Sequence, residues 1–166
     1  MKTVKKRSQI QEKSVAKQFN AKVTVASGAL WGMKGDIRND KFLIECKTTE
    51  KGYYTLTAKV WEKIRNEAVR DHLRIPLMVI DIKDKERLVV FRPHDFNTSL
   101  PVPYDCTSNG MDKKSFRVSL SELLKAGKEM GEYVYGRLFI ICGEKKNMLF
   151  YMRMKDFEET FKEELV

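Results

Sequence analysis

The segment that most constrains this chain runs Gly35-Asp36-Ile37-Arg38-Asn39-Asp40-Lys41-Phe42-Leu43-Ile44-Glu45-Cys46-Lys47. Two short alternating runs flank Asn39-Asp40, a permissible hairpin turn. Counted outward from that turn, Arg38 faces Lys41, Ile37 faces Phe42 and Asp36 faces Leu43. Directly paired residues share a side of a sheet, and side chains repeat every second residue. Asp36, Leu43, Glu45 and Lys47 therefore lie on one face, while Phe42, Ile44 and Cys46 point the other way as core. A four-residue loop in place of a two-residue one is expected to give the same pairing, so this conclusion does not depend on turn type. Two carboxylates on a half-buried strand are costly unless paired or bound to a cation. Hard oxygen donors of this kind suit Mg2+, with Mn2+ as a substitute. The bland alternative is a surface hairpin with scattered charges, because a D-x8-E-x-K spacing also recurs by chance.

At 166 residues the chain is long enough for a sizeable core and reads as one domain with at most an appended subdomain. Hydrophobic residues at 42% and charged residues at 33% are ordinary for a globular protein. No apolar run approaches a membrane span. The basic start, Met1-Lys2-Thr3-Val4-Lys5-Lys6-Arg7, is followed by no apolar signal segment, so a cytoplasmic location is expected, in a cell or for a phage-encoded protein. Cys46, Cys106 and Cys142 form an odd set without metal-type spacing, which points to a reducing compartment and no zinc site. His72 and His94 are too few and too scattered for His-centred hydrolysis, and both read as structural. The net charge of +9 is uneven: residues 1–47 hold 11 Lys/Arg against 4 Asp/Glu, and the remainder 21 against 19. Basic charge around a carboxylate cluster fits a polyanionic partner, DNA above all.

Along the chain, residues 7–20 read as a helix whose apolar stripe is Val15, Ala16 and Phe19. Glu12 falls within that stripe, an unusual inward place for a charge; a small rotation of the helix would return it to solvent. Val23–Ala26 reads as a strand and residues 27–35 as a glycine-bearing loop containing Trp31. Gly52-Tyr53-Tyr54 closes the strand region, and a helix is expected over 55–72 with Thr55 or Thr57 as N-cap. Trp61 reads as packing or a dimer contact. Strands follow at Leu77–Ile82 and Arg87–Arg92. Residues 97–115 read as loop, leading through Phe116–Val118 to a helix near 119–127. A hairpin of Arg137–Cys142 and Met148–Met152 precedes a last helix at about 155–164. Val79–Phe96 and Ile140–Phe157 align without gaps, as a duplication or as two hairpins with the same turn chemistry.

With Glu12, Ser27-Gly28, Asp36 and Glu45-Cys46-Lys47 in order, the chain resembles the PD-(D/E)xK nuclease superfamily, and within it Holliday junction resolvases of the archaeal and phage type. The resemblance covers roughly residues 7–92. Gly35 stands where the superfamily motif has proline. The resemblance implies an α/β fold with a mixed central β-sheet flanked by helices, restriction-endonuclease-like, over residues 1–96. Residues 97–166, which the resemblance does not cover, read as a C-terminal α+β extension of unassigned role, for dimerisation or DNA contact, packed on the core. The resemblance implies a Mg2+-dependent endonuclease, acting as a homodimer on four-way junctions. Glu12, Asp36 and Glu45 would be metal ligands, Lys47 would orient water or stabilise the phosphate, and Ser27 would bond phosphate or a metal-held water. Lys34 and Arg38 beside the hairpin, Lys59 and Lys63 on the second helix, and a basic arm of Lys5, Lys6 and Arg7 are candidate contacts to DNA phosphates. The alternatives are another PD-(D/E)xK nuclease, of restriction, repair or flap type, or a DNA-binding module without catalysis.

Overall fold

The computed structural model describes residues 4–24, 35–83, 85–97, 115–130, 135–142 and 145–165, with side chains at all of these except 4–5, 126–130, 135–142 and 145–147. The elements in order are α1 (Val4–Gln18), β1 (Lys22–Val23), β2 (Ile37–Arg38), β3 (Phe42–Thr49), β4 (Tyr53–Thr57), α2 (Ala58–Arg70), β5 (Ile75–Ile82) and β6 (Glu86–Phe91). A 3-10 turn at Pro93–Asp95 follows, then β7 (Ser115–Ser119), α3 (Leu120–Met130), β8 (Tyr135–Cys142), β9 (Lys145–Arg153), α4 (Met154–Thr160) and a 3-10 turn at Lys162–Glu164.

Among the described residues, seven strands form a mixed sheet in the order β1-β2-β3-β5-β6-β9-β8. Only its β3–β5 pair is parallel, bridged by α2, because a parallel pair needs a crossover connection. The α/β class expected from the sequence is what the chain forms. Phe42 to Cys46 of β3 are buried without alternation, as befits a strand covered on both faces. One face packs Ile44, Cys46, Val79 and Phe91 against Val15, Ala16 and Phe19 of α1 and Phe157 and Phe161 near α4. The other packs Met78, Ile80, Val90 and Tyr151 against Trp61 and Ile64 of α2 and Leu123 of α3. Trp61 is fully buried, so its role is packing.

The second helix starts later than its periodicity suggests. Tyr53-Tyr54-Thr55-Leu56-Thr57 forms β4, pairing antiparallel with β7 in a separate two-stranded ribbon. Aromatic and β-branched side chains fit that pleated surface, and the ribbon's inner residues Leu56, Phe116 and Val118 join the α2-side core. Thr57, extended at φ −103° and ψ 152°, accepts from the Val60 amide and caps α2.

The aligned hairpins β5–β6 and β8–β9 sit side by side, joined at β6–β9. Val90 lies opposite Tyr151, its own counterpart in the gapless alignment, so the pairing register is symmetric about that pair. Counterpart ion pairs close both units: Arg92 with Asp95, and Arg153 Nε with Asp156 Oδ2 at 2.7 Å. The strands of residues 135–153 thereby extend the same sheet that holds β3. No helix among the described residues is long and apolar enough to cross a membrane.

Candidate active site

The hairpin of β2 and β3 is wider than a two-residue turn. Asn39 Oδ1 accepts from the amides of Lys41 (3.0 Å) and Phe42 (2.7 Å), so four residues close the turn. Asn39 Nδ2 also donates to the Phe19 carbonyl at 2.8 Å, tying the turn to α1. Arg38 consequently pairs with Leu43 and Ile37 with Ile44, a register two residues away from the simple count. A shift of two preserves side-chain parity, so Asp36 stays on the face of Glu45 and Lys47 and comes level with Glu45.

Gly35 makes this approach possible. Its φ is +73°, and a Cβ there would fall 2.7 Å from Leu43 Cδ1. A proline ring fixes φ near −65°, so the motif's proline does not fit this backbone. Beyond Gly35 the Asp36 amide donates to the Ile44 carbonyl at 3.1 Å, and Asp36 Oδ2 accepts the Cys46 amide at 2.8 Å. The carboxylate thus continues the ladder where β2 ends. Glu45 is buried at 7% exposure, and Lys47 Nζ donates to its Oε1 at 2.6 Å.

Burial pushes the Asp36 carboxyl above its ordinary range, and the charge of Glu45 pushes it further. The Cys46 amide and the Lys47 ammonium oppose this, and Glu12 adds a smaller upward push. Burial alone would lower the Lys47 amine, but its hydrogen bond to Glu45 and the charges of Glu45 and Asp36 outweigh that and raise it. Lys47 is therefore a cation at neutral pH, suited to hold negative charge and unsuited to accept a proton. Burial raises the Cys46 thiol well above its usual value, which makes it inert packing.

Glu12 comes from a different direction. Cys46 and Val79 pack toward α1, whereas Met78 and Ile80, the register partners of Glu45 and Lys47, pack toward α2. Asp36, Glu45 and Lys47 thus occupy the α2 face, and Glu12 reaches their neighbourhood from the α1 side. Its Oε1 accepts from Ser8 Oγ at 2.9 Å, and it is half-buried. The inward polar residue of α1 is Gln11, 2% exposed, at the four-residue spacing from Val15 and Phe19. The rotation that takes Glu12 out of the stripe puts Gln11 into it. Gln11 Nε2 donates to the carbonyls of Lys47 (2.9 Å) and Val79 (3.3 Å), pinning α1 to the strand that carries the candidate catalytic pair. Among the described residues, no three His, Cys, Asp or Glu side chains gather closely enough to hold a metal ion.

Two contributors escape the sequence reading. Gln11 was visible in the 11-15-19 spacing, hidden only by the presence of Glu12 beside it. Tyr54, half-buried on the inner side of β4, has its phenol raised by burial, against the opposing charge of Lys47 and with a further push from Glu45. No local signal placed it there, because β4 depends on a partner strand some sixty residues away along the chain.

The candidate phosphate contacts are dispersed. Lys5, Lys6 and Arg7 belong to α1, which begins at Val4, so they form no separate arm. Lys6 is exposed, and Arg7 pairs with Glu50. Arg38 shares the Asp36 face but turns to Asp71 at 3.6 Å, toward the far end of α2. Lys59 is exposed on α2, as is Lys63, whose Nζ lies 3.9 Å from Glu67 Oε1. Ser27, Trp31 and Lys34 lie outside the described residues.

No protein-family model and no curated protein matches the sequence. Among solved structures, the chain is similar to Hjc of Archaeoglobus fulgidus, a Holliday junction resolvase from an archaeal hyperthermophile, at 14% identity and a TM-score of 0.44. That alignment covers 70% of this chain and 88% of the other.

Proposed function

We propose that this chain is a metal-dependent, structure-selective DNA endonuclease that resolves four-way junctions by paired phosphodiester hydrolysis. The observation that carries the reading is the convergence of Asp36 beside β2 with Glu45 and Lys47 of β3 on one face of the sheet, where Lys47 bonds Glu45 and where burial, with the charge of Glu45, raises the Asp36 carboxyl. Repelling carboxylates beside a lysine are an expense to the fold that a bound cation and a phosphate would relieve.

The donor set fits a hard divalent ion at two positions. Asp36 and Glu45 would hold Mg2+ or Mn2+, and Glu12, set back on the α1 side, would act through an intervening water. A bound ion of this kind acidifies a coordinated water and neutralises charge on the scissile phosphate. Lys47, held by Glu45, would place a positive charge against the phosphate oxygens as negative charge develops on them. Ser27 keeps its proposed role as a hydroxyl donor to phosphate. Gln11 would act as a positioning residue, holding the Lys47 backbone.

Lys5, Lys6, Lys34, Lys59 and Lys63 would supply phosphate contacts, with Arg7 and Arg38 contributing after exchange of their carboxylate partners. Residues 1–96 would act as the nuclease core and 97–166 as an extension for dimerisation or DNA contact. Two symmetric incisions call for two active sites, which a homodimer in the cytoplasm of a cell, including a phage-infected one, would provide.

The test is incubation with Mg2+ and a panel of four-way junction, flap, single-stranded and plain duplex DNA. Paired nicks confined to the junction, lost in Glu45→Ala and Lys47→Ala, support the proposal. Cutting at a defined duplex site replaces it with a restriction-type enzyme, and cutting of flaps with a repair nuclease. Tight binding without cleavage in either metal leaves a binding module. Full activity in both variants removes these residues from the mechanism.

A further inference from the structure

We propose that the outward face of the β4–β7 ribbon, centred on Tyr53 and Arg117, is a second contact surface for the DNA backbone, beside the candidate active site. This rests on the nuclease reading above and assigns part of the substrate grip to a strand from the C-terminal section.

The register defines the surface. Leu56 pairs with Phe116 and Tyr54 with Val118, and these four face inward. Tyr53 and the intervening pairs Thr55 with Arg117 and Thr57 with Ser115 therefore lie on the other face, while Ser119, opposite Tyr53, is itself buried beside Ser121. Thr55, Ser115 and Arg117 are exposed. The Arg117 guanidinium lies over the Tyr53 ring, 4.4 Å from its centroid, and Lys51 Nζ lies 5.7 Å from the same centroid. Two cations and a ring make a compact electropositive patch with hydroxyls around it.

Charge composition makes the patch specific. Residues 51–57 and 115–119 contain no Asp or Glu, although the chain as a whole has 23. The adjacent Glu50 is held by Arg7. Among the described residues, no carboxylate pairs with Arg117. An arginine held over an aromatic ring is oriented by it and keeps N–H groups that can reach a further partner. The guanidinium fork matches two oxygens of one phosphate. Hydroxyls and lysine alongside are the other usual donors to a nucleic-acid backbone.

Placement ties the patch to the site. Thr49 Oγ1 donates to the Tyr53 carbonyl at 3.3 Å, and Thr49 is two residues beyond Lys47 on β3, about 7 Å along an extended strand. The inner face of the same ribbon carries Tyr54, whose phenol is electrostatically coupled to Lys47 and Glu45. A strand with its scissile phosphate at Lys47 would run onto the ribbon within a short distance.

The experiment measures binding of the full chain to fluorescent four-way junction and duplex DNA by anisotropy, without divalent metal so that nothing is cut. Arg117→Gln should weaken binding about 5- to 20-fold and lower the log–log salt slope by about 1. Arg117→Lys, which keeps the charge and loses the fork, should retain the slope and fall between the two. Lys155→Gln removes the same charge from an exposed site on α4, on the opposite side of the sheet, and is the control; it should stay within about twofold of wild type. Arg117→Gln binding like wild type, or weakening no more than Lys155→Gln, overturns the inference while wild-type cleavage keeps the nuclease reading intact. Wild type that neither binds nor cuts DNA overturns both. Thermal melts show that each variant is folded.

Discussion

Replacing Gly35 by alanine tests the hairpin geometry on which the candidate site depends. The residue combines a left-handed backbone, φ +73°, with no room for a side chain. A new Cβ would lie 2.7 Å from Cδ1 and 2.9 Å from Cγ of Leu43. Leu43 is fully buried, so it has nowhere to retreat without displacing its own neighbours. Left-handed φ costs an L-residue about 1–2 kcal/mol, and overpacking of this kind about 1–3 kcal/mol. Together Gly35→Ala should cost about 2–5 kcal/mol, a large share of the roughly 5–15 kcal/mol that holds a domain of this size. The thermal midpoint should fall by roughly 5–20 °C. Gly52→Ala is the internal control: a Cβ there meets nothing within 4 Å, and its effect should stay within about 0.5 kcal/mol. Urea titration of both variants, followed by far-UV circular dichroism, measures the difference. A Gly35→Ala midpoint matching that of Gly52→Ala would show that the β2–β3 turn is more plastic than described and would refute the account of Asp36 placement.

Asp36→Asn should separate stability from activity. Burial and Glu45 make the native carboxyl hold its proton to higher pH than the unfolded chain does. Native protein then binds more protons than unfolded protein above the ordinary carboxylate range, so stability falls as pH rises through the native value. The asparagine variant escapes this loss. It should be more stable than wild type at pH 7, with the gap closing below about pH 4, while cleavage is lost; a gap independent of pH counts against the assignment. Mg2+ at a hundredfold excess over its Kd should stabilise wild type by about 2.7 kcal/mol in thermal melts. Glu45→Gln should abolish that shift, and an equal shift in the variant would remove Glu45 as a ligand. Arg87→Met should cost about 3 kcal/mol, because Arg87 grips Asp81 with Nε at 2.7 Å and Nη2 at 3.1 Å and also reaches Ser14 and Gln18 of α1. Chemical denaturation measures it, and a loss below about 1 kcal/mol would make the network ornamental.

Much of the architecture was legible because its signals are local. Alternation in 35–47 assigned Asp36, Glu45 and Lys47 to one face, and that parity survived a register displaced by two residues. Val15, Ala16 and Phe19 announced the buried side of α1. Thr57 was recognisable as a cap because its hydroxyl acts within one turn of helix.

Other features had no local carrier. A two-residue rather than four-residue turn was the natural count until the Asn39 side chain took both the Lys41 and Phe42 amides. Thr55–Thr57 read as the start of a helix until β7 supplied a partner. Arg7 and Arg38 looked like free phosphate ligands until Glu50 and Asp71 were brought to them.

The sequence by itself determined which side chains share a strand face, because the period of two belongs to the backbone and needs no neighbour. Only the tertiary structure decided what surrounds that face. Packing α1 and α2 on opposite sides of β3 set Glu12 apart from the Asp36–Glu45 pair, turned Gln11 inward, and brought Tyr54 to Lys47. These placements depend on contacts between segments distant in the chain, whose free energy no single segment contains.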